Sequence, residues 1–271
     1  MEFARSFLFV PGNRERMLIK SKELDCDVVI FDLEDAVGEN NKAYALSLVS
    51  RVLSKREEYP MRIGIRVNPD ADQELAELSG LDFDILVLPK AELSTTYNFF
   101  AAIEKHAITQ KVLLIVETAR GLVECYESLG VSSQVCGAML GAEDLSADIG
   151  FRRTPEGGEI AYARSVLAVA CAARRLLAVD TPNMVLGDAA ALQRDTETAK
   201  ALGMKAKAAI HPNQLSVIHN VFSPTKQELE RARQLLALYE SNGHNVFRLG
   251  MEMIDTPIIR RAQSILSRAT L

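Results

Sequence analysis

The chain of 271 residues carries 31 Lys and Arg against 36 Asp and Glu, a net charge of −5, with 48% hydrophobic and 25% charged residues. This is globular composition with the length for a sizeable core, in one large domain or two small ones, and it excludes global disorder. The acidic balance argues against a nucleic-acid partner, and no apolar run reaches the ~18 residues of a membrane-spanning helix, so no membrane partner is expected.

A short apolar run over residues 7–10 opens the chain and stops at Pro11-Gly12. It has neither the length nor the cleavage site of a signal peptide. Val10-Pro11-Gly12-Asn13 reads as a strand-to-helix turn, either a plain turn or one presenting N–H groups to an anion, and helical spacing follows over 14–24. The alternation then repeats. Apolar runs at 28–31, 63–67, 85–88, 112–116, 138–140, 176–179 and 208–210 are interleaved with helical spacing, clearest at 42–53, 95–106, 160–176 and 188–202, with Gly203 as a helix stop. Continuous runs of this kind suit parallel strands buried on both faces. Eight β/α alternations in ~210 residues predict an α/β fold, a (β/α)8 barrel; a doubly wound open sheet, the alternative, normally has fewer strands.

Beyond 210 the pattern changes. Pro212 breaks the chain, and Ser223-Pro224-Thr225 reads as a helix start with Pro near its first position. Residues 226–239 form a polar-faced helix, 241–245 a linker and 257–268 a last helix. The expected organisation is a barrel over 1–222 and a C-terminal helical extension over 223–271.

Barrel chemistry sits at the C-terminal strand ends. Here the second run leads into Asp32-Leu33-Glu34-Asp35, the third into Arg66 and Asn68, the fourth into Lys90, the fifth into Glu117, the sixth into Glu143-Asp144, the seventh into Asp180 and the eighth into His211. Asp32, Glu117 and Glu143 lie directly against buried runs, and a buried carboxylate is costly unless paired or bound to a metal. Internal salt bridging with Arg66 and Lys90 would account for the same placement. Any metal is expected to be a hard cation such as Mg2+, because the four histidines lack zinc-ligand spacing. Arg14, Arg16 and Lys20 share near-helical spacing, as a solvated face or a phosphate contact. Cys26, Cys125, Cys136 and Cys171 form no CxxC pair, which leaves reduced thiols and a cytoplasmic location as the default. No G-x-S-x-G, GxGxxG or GxxxxGK[ST] pattern is present.

An ordered set of motifs spans nearly the whole chain. It begins with Arg5-Ser6, Leu8-Phe9-Val10-Pro11-Gly12, Asp32-Leu33-Glu34-Asp35-Ala36-Val37 and Arg66-Val67-Asn68. It continues through Leu88-Pro89-Lys90, Val116-Glu117-Thr118-Ala119-Arg120-Gly121, Gly141-Ala142-Glu143-Asp144-Leu145, Tyr162-Ala163-Arg164, Ile210-His211-Pro212-Asn213-Gln214 and Met253-Ile254-Asp255-Thr256-Pro257. In these the chain resembles the citrate lyase β-subunit-like (CitE-like) branch of the HpcH/HpaI aldolase superfamily.

The resemblance implies a modified (β/α)8 TIM barrel, a homo-oligomer and usually a homotrimer, that binds Mg2+ and a coenzyme A thioester and makes or breaks the C–C bond between an acyl-CoA and a keto acid. By motif, Glu117 and Asp144 would ligate the metal, Arg66 would hold the keto acid, and Asp32 and Glu34 would support both. Asp255 would be the general acid/base, on a segment that often completes a neighbour's site. Phe9, Arg16 and Lys20 match CoA-contact positions, and Ile210-His211 lies near the thioester end. The chain departs from the family pattern at Leu46 (usually Arg), Ala206-Lys207 (usually Gly-Lys) and Gly250-Met251-Glu252 (usually Gly-Lys-Met). The implied activity is a lyase cleaving citramalyl-CoA or a similar β-hydroxyacyl-CoA to acetyl-CoA and a 2-keto acid. Alternatives are a citrate lyase β subunit inside a multi-subunit complex, the reverse malate-synthase-type condensation, and a non-catalytic binding relative.

Overall fold

The computed structural model describes residues 4–268. Eight parallel strands, β1 (Ser6–Pro11), β2 (Val28–Asp32), β3 (Arg62–Arg66), β4 (Ile85–Leu88), β5 (Lys111–Val116), β6 (Val135–Leu140), β7 (Leu177–Asp180) and β8 (Ala206–Ala209), pair in chain order and close as β1 meets β8 through Phe7↔Ala208. All eight apolar runs of the sequence fall on these strands. The sixth is longer than its run because Val135-Cys136-Gly137 dilutes the β-branched signal.

Alternation explains why the runs are continuous. Phe7, Val28, Ile30, Ile85, Val87, Leu113, Ile115, Met139 and Val179 fill the barrel interior together with Ala206 and Ala208. Their neighbours Leu8, Val29, Phe31, Leu86 and Leu114 are just as buried, against the outer helices. Phe7 is accommodated beside the small Ala206 and Ala208. At Gly137 a Cβ would run into the Leu177 carbonyl, so glycine is what lets β6 and β7 approach.

The helices that follow the strands are α1 (Glu15–Ser21), α2 (Lys42–Leu53), α3 (Asp72–Leu78), α4 (Leu93–Lys105), α5 (Ala119–Val123), α6 (Cys125–Ser128), α7 (Ala142–Ile149), α8 (Ala161–Ala173) and α9 (Ala189–Ala201), with α10 (Leu215–Phe222) after β8. The expected helices over 42–53, 95–106, 160–176 and 188–202 are α2, α4, α8 and α9. The one expected over 14–24 ends early, because α1 stops at Ser21.

Four ionic side chains are buried between the barrel wall and α8 and α9. Asp180 and Lys207 point outward because Val179, Ala206 and Ala208 occupy the inner positions. Arg164 of α8 makes a two-point contact with Asp180 (2.8 and 2.9 Å) and a third with Asp195 of α9 (2.6 Å). Lys207 Nζ bonds both carboxylates. The charges sum to zero, which is what permits their burial.

The chain divides into two compact units, one up to His219 and one from Asn220. The second unit pairs α11 (Lys226–Ser241) with α12 (Thr256–Ser267) around Ala232, Leu235, Ile254, Ile259 and Ala262. Between the helices lies an antiparallel hairpin, β9 (Phe247–Leu249) and β10 (Glu252–Ile254), which was not expected: three residues are too few to show a period of two. Gly250 supplies the positive φ (60°) that its turn requires. At the start of α11, Thr225 is the N-cap in a reciprocal capping box with Glu228. The helix start expected at Ser223-Pro224-Thr225 is thus found there, with Pro224 directly before the cap.

Candidate active site

At the C-terminal mouth of the barrel, the loop after β2 folds back on Asp32, whose carboxylate accepts from the backbone N–H groups of Glu34 (2.9 Å) and Ala36 (3.2 Å). The same carboxylate receives Arg66 from the end of β3 in a bidentate contact, Nε at 2.7 Å and Nη2 at 2.6 Å. Arg66 Nη1 meets Glu34 (2.9 Å) and Asp35 (3.3 Å), and the guanidinium lies over the Phe9 ring, 5.1 Å from its centroid. Burial alone would lower the Arg66 pKa, but the Asp32 hydrogen bonds and the surrounding carboxylates outweigh it and hold the guanidinium above its ordinary value. Lys42 of α2 braces this loop, donating to the carbonyls of Leu33 (2.9 Å) and Glu34 (2.7 Å) and to Asn68 (2.7 Å). Glu74 in turn accepts from both Asn68 nitrogens.

Salt bridging thus accounts for Asp32 and Glu34. It does not account for Glu117. That side chain, at the end of β5, is 3% exposed and forms no ion pair among the described residues. Its one direct partner is the backbone N–H of Lys90, at 2.7 Å. Lys90 has a φ of 48°, rare for a non-glycine residue, and its Nζ is held by Glu34 (2.9 Å). Burial pushes the Glu117 pKa up to about 8; the Lys90 N–H opposes this, and the negative charges of Asp144 and Glu34 add to it.

Asp144 sits in the first turn of α7, and Thr181 Oγ1 accepts from the N–H of Ala142 (3.2 Å) at the start of that helix. Gly141 precedes it at close quarters: a Cβ there would stand 2.5 Å from both Cβ and Oε2 of Glu117. We expect Gly141→Ala to shift the Glu117 carboxylate and weaken metal binding about 10–100-fold in a protein that still folds, read by Mg2+ titration calorimetry. Unchanged affinity would count against Glu117 as a metal ligand. The remaining member of the sequence triplet, Glu143, is not buried against β6. It is exposed in the first turn of α7, at the edge of the barrel-mouth cavity, and pairs with Arg153 (2.8 Å).

These groups line one cavity of about 430 Å³, with Phe9, Asp32, Arg66, Glu117, Asp144 and Ile210 in its wall. Glu34 stands behind Arg66. Arg16 and Lys20 are not brought there. They are exposed on α1 over a separate depression shared with Glu15 and Glu23, as a solvated face would be. Gly12 at the start of that turn packs against β2, its N–H donating to the Asp32 carbonyl (2.8 Å), so that N–H is not presented to an anion. His211 lines a second cavity beside Val185–Asp188 residues, and its Nδ1 accepts from the N–H of Asn213. Asp255 belongs to the second unit, where it caps α12 by accepting from Ile258 N (3.4 Å). Sequence reasoning missed Thr181 and Met184 in the cavity wall; nothing in their composition distinguishes them from loop residues.

The donor set has a definite preference. Among the described residues no three His, Cys, Asp or Glu side chains gather about a point. Two carboxylates, Glu117 and Asp144, share the cavity without a cation of their own. Such a pair leaves several coordination positions to water and substrate oxygens, which fits Mg2+ and does not fit zinc. A second arrangement, Ser6 Oγ 2.7 Å from His219 Nε2 with Asp25 3.6 Å from Nδ1, has the connectivity of a nucleophilic triad. It lies at the N-terminal strand ends with Ser6 fully buried, so no substrate reaches it.

A closed eight-stranded parallel barrel with a charged cavity at its C-terminal mouth defines a TIM-barrel enzyme. The chain belongs to the HpcH/HpaI aldolase/citrate lyase family, which matches residues 5–212. It is 32% identical over 284 residues to the citrate lyase subunit beta of Haemophilus influenzae, covering 99% of this chain and 98% of that one. It is also 32% identical over 290 residues to the mitochondrial citramalyl-CoA lyase of Homo sapiens, covering 98% of this chain and 85% of the other. CitE from Mycobacterium tuberculosis, in complex with magnesium, acetoacetate and coenzyme A, matches the fold with a TM-score of 0.84 at 30% identity over 100% of both chains. No described helix is long and apolar enough to cross a membrane.

Proposed function

We propose that the chain is a Mg2+-dependent carbon–carbon lyase that cleaves a β-hydroxyacyl-CoA thioester, citramalyl-CoA or a similar one, into acetyl-CoA and a 2-keto acid. The observation that carries this reading is the cavity in which a fixed guanidinium, Arg66, shares the wall with two carboxylates, Glu117 and Asp144, that have no cation of their own. The similarity to a citramalyl-CoA lyase and to a structure holding magnesium and coenzyme A supports it.

Mg2+ held by Glu117 and Asp144 would supply Lewis-acid polarisation of the keto oxygen. Arg66, locked by Asp32 and Glu34 over Phe9, orients the substrate carboxylate with its remaining N–H edge. Cleavage takes the proton off the β-hydroxyl as its oxygen becomes the keto oxygen, leaves the C–C electron pair on the acetyl-CoA carbon, and returns one proton to that carbon, so that no net proton is consumed; the return is the role assigned to Asp255. Arg16 and Lys20 are assigned to the CoA phosphates, and Ile210 and His211 to the thioester end. The proposal includes a homotrimer in which Asp255 serves a neighbour's cavity. It also places the protein in the cytoplasm, in keeping with four free cysteines.

Asp255→Asn is expected to lower turnover by about 10²–10⁴-fold while Mg2+ and keto-acid binding persist; near-normal turnover would remove the residue from the chemistry. A second reading, a citrate lyase β subunit acting on a citryl thioester inside a complex, is favoured by the match to the Haemophilus influenzae subunit over nearly all of both chains. The same groups would serve the reverse reaction, a malate-synthase-type condensation. The deciding experiment incubates the protein with Mg2+ and citryl-, citramalyl- and malyl-CoA, with EDTA controls, and follows keto-acid release. Folded, Mg2+-binding protein that cleaves none of them would overturn the stand-alone lyase.

A further inference from the structure

We infer that Lys90, which lies outside the cavity wall, is a positioning residue for the lyase reaction: its backbone N–H fixes the rotation of the metal carboxylate Glu117, and its ammonium, through Glu34, fixes the keto-acid clamp Arg66. This rests on the lyase reading and deepens it.

At a φ of 48°, Lys90 is in the left-handed region, which a residue with a Cβ enters at a cost. Such a conformation persists only where its surroundings over-determine it. The contacts on either side do so. The Lys90 N–H donates to Glu117 Oε1 (2.7 Å), and the Lys90 carbonyl lies within reach of Thr95 Oγ1 (3.2 Å) in the capping box of α4. The next N–H, of Ala91, donates to the Ile115 carbonyl on β5 (2.9 Å). Glycine would take this backbone without strain, so the turn alone does not explain a lysine there. Its side chain does.

Both oxygens of Glu117 are placed by this turn. Oε1 is held by Lys90, and Oε2 faces Gly141, where a Cβ would come within 2.5 Å of it. The oxygen left without a donor thus lies toward α7, the helix whose first turn carries Asp144, the partner of Glu117 in the proposed metal site. The side chain of Lys90 reaches the other way. Its Nζ bonds Glu34 Oε1 (2.9 Å), and Glu34 Oε2 bonds Arg66 Nη1 (2.9 Å), while Asp32 holds the Nε and Nη2 edge of that guanidinium. One residue thereby ties the end of β5 to the end of β3 and sets the spacing of metal ligand and clamp.

The two arms are separable, because Mg2+ and a keto acid carry opposite charge. Loss of the ammonium leaves Glu34 with Arg66 as its one ion-pair partner among the described residues, and leaves the site one positive charge poorer. A carboxylate ligand is then held less well and a divalent cation no less well. General damage to the site would weaken both.

The test titrates Mg2+ calorimetrically into the metal-free protein, then pyruvate, and in parallel freshly dissolved oxaloacetate, into the Mg2+-loaded protein. Lys90→Met keeps the N–H and removes the ammonium. It is expected to bind Mg2+ at least as tightly as the parent and keto acid about tenfold or more weakly, since small displacements of a clamp are costly. Lys90→Arg, which restores the cation, is expected to recover most of the keto-acid binding. Lys90→Val keeps neither arm. Its β-branched side chain fits a φ of 48° poorly and turns the N–H away from Glu117, so Mg2+ affinity is expected to fall about 10–100-fold. Where Lys90→Val does not fold, the contrast between Lys90→Met and Lys90→Arg decides. Parent-like affinity of Lys90→Met for both ligands, equal losses for both, or parent-like Mg2+ affinity in Lys90→Val would overturn the inference and leave the lyase reading standing. A parent that binds neither Mg2+ nor a keto acid and cleaves no thioester would overturn the lyase reading itself, and the inference with it.

Discussion

Replacing Glu117 with Gln is expected to abolish Mg2+-dependent keto-acid release and, in the metal-free protein, to raise thermal stability at alkaline pH. Both effects follow from one placement. The carboxylate is almost fully buried, and its pKa is pushed from 4.5 up to about 8, first by that burial. A carboxyl group whose folded pKa lies above its unfolded value binds more protons in the folded state. Between pH 4.5 and about 8 the metal-free fold therefore loses stability as pH rises, and the loss is complete above 8. Each pKa unit is worth about 1.4 kcal/mol, which makes the cost a few kcal/mol at pH 9.

The variant escapes that cost because Gln is neutral and still accepts from the Lys90 N–H with its carbonyl oxygen. Melting curves of parent and variant at pH 6, 7, 8 and 9, each with and without Mg2+, check this. The stability gap should widen up to pH 8 and then level off, and Mg2+ should raise the melting temperature of the parent only. Since the cation needs the ionised carboxylate, apparent Mg2+ affinity in the parent should also climb with pH up to about 8. A variant less stable than the parent at pH 9 would mean that the carboxylate is a structural acceptor. A more stable but inactive variant is what a functional site built at the expense of stability produces.

The barrel was legible because its strands are buried on both faces. A run such as Val28-Val29-Ile30-Phe31 then shows no competing period and is bounded by charge at both ends, Asp27 and Asp32. The short helices were not legible: α3, α5 and α6 span two turns or fewer, too little for a 3.6-residue period to emerge. In the site, Asp32 and Glu117 were found by the same cue, a carboxylate directly after a buried strand. That cue misplaced Glu143, because Gly141 and Ala142 intervene after β6 and start a helix, which leaves the next side chain exposed and not buried against the strand. The cue also cannot separate Asp32, paired with Arg66, from Glu117, left unpaired. That difference lies in which loop crosses which strand end, information carried by residues far apart in sequence. Asp195 is the extreme case: an acid on a helix of otherwise solvated charges, it becomes structural only when α9 packs against Lys207 and Arg164.

That buried cluster sets the second large effect. Arg164→Met is expected to destabilise the barrel unit by about 3–5 kcal/mol, because breaking a buried ionic network leaves an uncompensated charge. At about 2–4 °C per kcal/mol for a unit of this size, the melting temperature should fall by roughly 10 °C. With Arg164 gone, Asp180 and Asp195 face only Lys207, two negative charges against one positive in a space that excludes water. Removing a negative charge as well should recover part of the loss, so Arg164→Met combined with Asp195→Asn is expected to be more stable than Arg164→Met alone. A double variant no better than the single would show that Arg164 matters for its packing volume and not for its charge.

The acid side gives an independent check. Burial alone would raise the Asp195 pKa, but Lys207 and Arg164 outweigh it and hold it down at about 2. A lowered acid contributes stability above its unfolded pKa of 3.8 and loses it as pH falls toward about 2. The parent should therefore lose stability as pH falls from about 3.8 to about 2, and the Asp195→Asn variant should lack this pH dependence. The cluster also reaches the active-site wall. Asn183 donates to Asp195 (3.3 Å) and takes Gln214 on its carbonyl (2.8 Å), within the segment whose Thr181, Pro182 and Met184 line the cavity. Loosening the cluster should thus raise KM well below the melting temperature, by letting the wall that carries Met184 move, with Mg2+ affinity at Glu117 changed far less.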